Sequence, residues 1–172
     1  MTAMDDLDID TISDRAEIDS LRPLWLALHA HDVQLNEYEG FETDETASWS
    51  ARRATYLDWF GRGDAVILVA RAGDRLVGYL VTHFIAGPDD TFRVGREYAE
   101  LYSFYVEPAY RSSGLGSRLF DRMEIALRRR GVDVLMLGVT VENTAARRFY
   151  ERRGMHPVEV YYWRARLPDG SA

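Results

Sequence analysis

The chain has no cysteine, which removes disulfides, thiolate metal sites and a cysteine acyl-enzyme together. It has no lysine either, so all 21 Lys-or-Arg positions are arginine, a bias of coding more than of function. Without lysine there is no Gly-x-x-x-x-Gly-Lys-Ser/Thr phosphate loop. No apolar run is long enough to span a bilayer, and the acidic N-terminus does not look like a signal or transit peptide, so the cytoplasm is the expected compartment and no membrane partner is expected. His29-Ala30-His31-Asp32 has the look of a metal cluster. With no matching histidine or carboxylate set elsewhere it reads as a helix end, and no metal is expected. Repeats and linkers are missing too. Residues 1–172 therefore read as one domain, with 1–6 and 168–172 expected to be disordered.

What is present is ordinary for a soluble globular chain: 47% hydrophobic and 28% charged residues. The net charge of −7 argues against a general nucleic-acid binder. Its distribution is uneven. Residues 1–50 carry only Arg15 and Arg22 as basic residues, whereas 111–153 are rich in arginine. Most of those arginines read as solvated helix faces, and a few near residue 111 are placed to meet phosphate.

Taken in order, 7–12 reads as an edge strand, and Ser13 or Asp14 caps a helix carrying Ile18, Leu21, Leu24, Trp25 and Leu28, with Pro23 tolerated early in it. Residues 32–45 form a polar, acidic segment. A second helix covers about 46–60 and stops at Gly61-Arg62-Gly63. Strands follow at 65–71, 76–85 and 97–106. A helix with Leu115, Leu119, Phe120, Met123 and Leu127 on one face ends at Arg130-Gly131, and a strand at 134–139 returns parallel to 97–106. Asn143 caps a short helix closed by Gly154, and two closing strands run through 158–167.

The chemistry concentrates at Arg111-Ser112-Ser113-Gly114-Leu115-Gly116-Ser117, between the strand ending in Val106 and the following helix. Such a junction aims backbone N–H groups and the positive end of a helix dipole at one point. Gly114 and Gly116 remove side chains that would hold a ligand away, and Arg111 adds a positive charge. The arrangement suits a pyrophosphate. Glycines at a helix start also serve purely structural ends, and a dinucleotide fingerprint would need a third glycine where Leu119 stands.

Arg-x-x-Gly-x-Gly after that strand, followed by Asn143-Thr144-Ala145-Ala146-Arg147-Arg148-Phe149-Tyr150-Glu151-Arg152-Arg153-Gly154-Met155, resembles the GCN5-related N-acetyltransferase (GNAT) superfamily over roughly residues 65–165. The resemblance implies an α/β fold: a mixed central sheet of six to seven strands, helices on both faces, and a parallel pair splayed at the coenzyme site. It implies acetyl-CoA as cosubstrate and direct attack by a primary amine in a ternary complex. The backbone groups of Phe104, Tyr105 and Val106 would hold the pantetheine arm, and the glycine turn the pyrophosphate. Asn143 would contact the coenzyme while capping its helix. Tyr150 matches the family's general acid near the coenzyme sulfur. Many members carry a glutamate where this chain has Tyr102. Glu100, two residues earlier on the same strand face, is then the candidate base, with ordered water along the strands as the alternative.

In the family, the segment joining the first two helices lies over the acceptor. Here it holds Asp32, Glu37, Glu39, Glu42, Asp44 and Glu45 and no basic residue, with Tyr38, Phe41 and Trp49 available to pack on an amine's carbon skeleton. With Tyr102 this segment forms the expected acceptor site. A cationic acceptor follows, either a small-molecule amine or a basic peptide. Acetylation of a protein N-terminus or lysine is the second reading, and a non-catalytic CoA-binding sensor or interaction module the third. The protein is expected to be a monomer or homodimer.

Overall fold

The structure, a computed structural model, describes residues 7–35 and 44–162. Five strands form one sheet in sequence order: β1 (Leu7–Thr11), β2 (Ala65–Ala72), β3 (Arg75–Ala86), β4 (Glu97–Val106) and β5 (Leu135–Leu137). The first three pairings are antiparallel, and β4 and β5 run parallel, as the strand–helix–strand order requires. The helices are α1 (Arg22–Leu35), α2 (Glu45–Arg62), α3 (Leu115–Arg130) and α4 (Thr144–Arg152), with a 3₁₀ segment at Arg15–Leu21 leading into α1.

The expected sheet of six to seven strands is corrected to five among the described residues. Of the closing strands anticipated at 158–167, residues 158–162 form no strand pairing among the described residues. Val158, Val160, Tyr161 and Tyr162 stand 65–94% exposed there, and residues 163–167 lie outside the described part. β5 is also shorter than the anticipated 134–139.

Local chemistry accounts for the element boundaries. Asp14 accepts a hydrogen bond from the Ala16 N–H, and Glu17 reaches back to the Asp14 N–H, closing a capping box. Asp44 caps α2 by accepting from the Thr46 and Ala47 N–H groups at 3.0 and 3.1 Å. Gly63 and Gly131 end α2 and α3 in left-handed conformations with φ of 72° and 76°.

The sheet separates two apolar layers. On one face α3 lays down Leu115, Leu119, Phe120, Met123 and Leu127 against Leu68, Leu80, Phe84 and Leu101, so the stripe anticipated from spacing is the buried one. On the other, the 3₁₀ segment, α1 and α2 pack Ile18, Leu21, Trp25, Trp49 and Tyr56 on Ile67, Val69, Tyr79 and Val81. Arg130 joins three elements at the bottom: a two-pronged pair with Glu97 of β4 at 2.6 and 2.7 Å, and a hydrogen bond to the Gly63 carbonyl at 2.9 Å.

Candidate active site

β4 and β5 pair over only three residues, Ala99, Glu100 and Leu101 against Leu135, Met136 and Leu137. Beyond Leu101, β4 runs on to Val106 without β5, and the two strands part. A cleft opens in the gap. Tyr102, Ser103 and Phe104 of β4 form one wall, Gly138, Val139 and Thr140 after β5 another, and Asn143, Ala146 and Tyr150 of the α4 region a third. Leu28 and Asp32 of α1 close it.

A bulge sits where the strands part. The register matches Val81 with Ser103 but Thr82 with Leu101, leaving Tyr102 as the extra residue on β4. Tyr102 and Ser103 therefore both turn toward α1 and α2. The Tyr56 hydroxyl donates to Ser103 Oγ at 2.6 Å, and Tyr102 packs with that same layer. Phe104 and Val106 return to the α3 side with Leu101. Strict alternation would have kept Phe104 on the face of Glu100 and Tyr102.

Beyond β4, Ser112 and Gly114 both take left-handed conformations, with φ of 60° and 88°. They curl the turn onto the start of α3. The first intrahelical bond runs from the Arg118 N–H to the Gly114 carbonyl at 3.0 Å, so the Gly116 and Ser117 N–H groups open outward without a backbone acceptor among the described residues. A Cβ at 114 would meet nothing within 4 Å, and its glycine is set by φ. A Cβ at 116 would lie 3.5 Å from the Phe104 ring, an ordinary contact, so internal packing does not itself demand glycine there.

The side chains of this turn divide by role. Leu115 is 1% exposed and gives its side chain to the core, leaving only its backbone to the turn. Ser113 Oγ donates to the Tyr110 carbonyl at 2.7 Å and accepts from the Leu115 N–H at 3.4 Å. Arg111 folds back on the strand end, its Nε donating to the Val106 carbonyl at 2.9 Å. Arg118 donates to the Leu7 carbonyl at 2.8 Å and Arg153 pairs with Asp121, which makes both structural.

Asn143 caps α4, its side-chain oxygen accepting from the Ala146 N–H at 3.1 Å, while the residue also lines the cleft. Tyr150 sits against Phe149 and Phe120, with ring centroids at 5.5 and 6.4 Å. Burial pushes its phenol well above the ordinary range, and the negative charge of Asp32 pushes the same way. The hydroxyl therefore keeps its proton at any physiological pH.

Glu100 lies on β4 outside the cleft lining proper, two residues before Tyr102. Burial raises its carboxyl, and the charge of Arg52 partly opposes this. Its cross-strand neighbour is His83, which stacks on Trp59 at 3.8 Å and whose burial favours the neutral ring. Glu37, Tyr38, Glu39, Phe41 and Glu42 lie outside the described residues.

The sequence reading puts one residue of the site in an acidic segment beyond the first helix and does not single out another. Asp32 belongs to α1 rather than to an acidic loop, one turn beyond Leu28 on the cleft side, an i, i+4 relation that the sequence does contain. Its carboxyl is raised by burial, with His31, His29 and Arg52 opposing. Arg52 is the second: it lies outside the cleft lining and packs behind it, its Cζ 4.2 Å from the centroid of the Tyr102 ring. Among the described residues no group of three or more His, Cys, Asp or Glu is placed to hold a metal, and no helix is long and apolar enough to cross a membrane.

A sheet with one parallel pair splayed over a cleft, a glycine turn at the same end, and a tyrosine-bearing helix across the gap define an acyl-transferase scaffold. The chain belongs to the acetyltransferase (GNAT) family, whose profile matches residues 31–155. It is 45% identical over 137 residues to a mycothiol acetyltransferase of Beutenbergia cavernae, covering 80% of this chain and 42% of that protein. It is 29% identical over 126 residues to the ribosomal protein bS18 alanine N-acetyltransferase of Salmonella typhimurium, covering 69% of this chain and 78% of that one. The chain thus spans less than half the length of the mycothiol acetyltransferases it matches. A protein of Clostridium acetobutylicum described as a predicted acetyltransferase, solved with acetyl-CoA, shares the fold with a TM-score of 0.70 at 13% identity, covering 91% of this chain and 94% of that one.

Proposed function

We propose that this chain is an acetyl-CoA-dependent N-acetyltransferase that passes the acetyl group directly to a primary amine. The observation that carries the reading is the cleft between the parted strands, with Tyr150 on one side and Asp32 on the other. Family membership and the acetyl-CoA bound to the Clostridium acetobutylicum relative support the same cosubstrate. The outward N–H groups of the glycine turn receive the pyrophosphate, with Arg111, Ser112 and Ser113 at the rim. The free edge of Phe104, Tyr105 and Val106 holds the pantetheine arm, and Asn143 meets it from α4.

The amine reaches the site as an ammonium, since such groups have ordinary pKa values of about 8–10. Asp32 and Glu100 attract it, and one of them, or a water between, takes its proton. The nitrogen lone pair then attacks the thioester carbonyl, the carbon–sulfur bond breaks, and the Tyr150 hydroxyl gives its proton to the departing thiolate, while the nitrogen's surplus proton, lost as the amide forms, passes through water to restore the Tyr150 hydroxyl. No acyl-enzyme is involved, in keeping with a chain that has no cysteine.

Acetylation of a protein N-terminus is the second reading. It is favoured by the match to the bS18 alanine N-acetyltransferase, 78% of whose length this chain covers. The test is thiol release from acetyl-CoA with a panel of polyamines, aminoglycosides, amino acids and peptides. A cysteine-free enzyme contributes no background to a thiol reagent. Release that requires an amine supports the proposal, and the amine that gives the highest kcat/KM separates the readings.

A further inference from the structure

Resting on that proposed function, one side chain narrows the acceptor. Arg52 of α2 is half-buried, with its Cζ 4.0 Å from the Trp25 ring centroid and 4.2 Å from that of Tyr102. Both rings pack against the guanidinium. Stacking of this kind engages the π faces and leaves the N–H donors, which lie in the guanidinium plane, unused. Nη1 is buried with no hydrogen-bond partner, and so is Trp25 Nε1 in the same stack. Neighbouring Arg53 pairs with Asp19, but Arg52 has no ion pair among the described residues. An arginine packed against aromatic rings, with no hydrogen bond to an oxyanion among the described residues, is prepared to bind one from a ligand.

Its position says which oxyanion. Tyr102, one wall of the stack, is also a wall of the cleft. Arg52 lies close enough to Asp32 and Glu100 for its charge to act on both carboxyls. A simple ammonium would find two attractive acids and one repulsive guanidinium there. A molecule with both an ammonium and a carboxylate answers all three charges, and its carboxylate matches the guanidinium edge in shape.

We propose that Arg52 binds the carboxylate of the acceptor, so that the acceptor is an aminocarboxylate, a free amino acid or close analogue, instead of a plain amine. The Trp25 and Tyr102 rings hold the guanidinium plane in place, and Asp32 and Glu100 take the ammonium end.

The test compares matched acceptors: amino acids, their carboxamides, and the corresponding decarboxylated amines, each with wild-type enzyme, Arg52→Met and Arg52→Lys. Wild-type enzyme should prefer the carboxylate over both partners by about 10- to 100-fold in kcat/KM, the range of a charge-assisted hydrogen-bond pair. Arg52→Met should abolish that preference by raising KM for the aminocarboxylate alone, and Arg52→Lys should restore part of it. Acetyl-CoA affinity should be the same in all three. Equal use of the decarboxylated amine by wild-type enzyme, or no turnover of any aminocarboxylate, overturns the proposal. So does a carboxamide or peptide N-terminus that serves as well as the free acid, or an Arg52→Met loss that falls equally on every acceptor. Should Arg52→Met not fold, the wild-type panel decides alone. If wild-type protein fails to bind acetyl-CoA at all, the acetyltransferase reading itself falls, which the affinity measurement registers separately.

Discussion

Asp32 and Tyr150, one from α1 and one from α4, line the same cleft, and the carboxylate's charge joins burial in holding the proton on the tyrosine hydroxyl. In the proposed mechanism this keeps the Tyr150 hydroxyl protonated until a thiolate develops. In the proposed reaction the same carboxylate also attracts the acceptor's ammonium.

Removing the Tyr150 hydroxyl should therefore act on turnover and not on coenzyme binding. Tyr150→Phe is expected to lower kcat by roughly two to four decades, with acetyl-CoA affinity nearly unchanged by calorimetry. Full activity in this variant would make Tyr150 a packing residue beside Phe149.

Asp32→Asn should separate stability from activity. Burial raises the folded-state carboxyl above its unfolded value, so the folded state binds the proton more tightly. That contribution is fully present below the unfolded pKa and is lost as pH rises through the folded one. At pH 7 the charged group is a liability, and Asp32→Asn is expected to raise Tm there while lowering kcat/KM for the amine. A lower Tm at pH 7 would contradict this, as would an unchanged kcat/KM.

The pH–rate profile carries the second acid. Burial also raises Glu100, so the acidic limb of kcat/KM should lie above the ordinary carboxylate range, and Glu100→Gln should shift or flatten it. An unmoved limb would assign the proton to Asp32 or to water.

Gly114 is held at φ 88°, where any side chain is strained, although open space surrounds it. Gly114→Ala is expected to cost about 1 kcal/mol in urea unfolding. Gly114→Glu should in addition abolish the thermal shift produced by acetyl-CoA, because it sets an anion where the pyrophosphate belongs. A retained shift would move the phosphate site elsewhere.

Much of this was legible in the sequence because it is local. The β4 limits, the five buried residues of α3 and the cap at Asn143 follow from alternation, helical spacing and side-chain chemistry, which need no distant partner. The bulge at Tyr102 was not legible, since it exists only as a register between β3 and β4. Arg52 and Arg53 are adjacent and identical in the sequence. Which one meets Asp19 and which one enters the aromatic stack depends on how α2 is seated against α1 and β4. Asp32 was absorbed into an acidic run because α1 extends further, to Leu35, than its apolar spacing suggests.

The central claim is that an amine takes the acetyl group directly from acetyl-CoA in this cleft. The most direct measurement follows thiol release and acetylated product together, by thiol reagent and mass spectrometry, with acetyl-CoA and the acceptor panel, for wild-type enzyme and Tyr150→Phe. The account predicts one acetylated amine per thiol released, dependence on both substrates, and suppression in Tyr150→Phe. Tight acetyl-CoA binding with no acetylated product from any amine would contradict it and leave a coenzyme-binding module in its place.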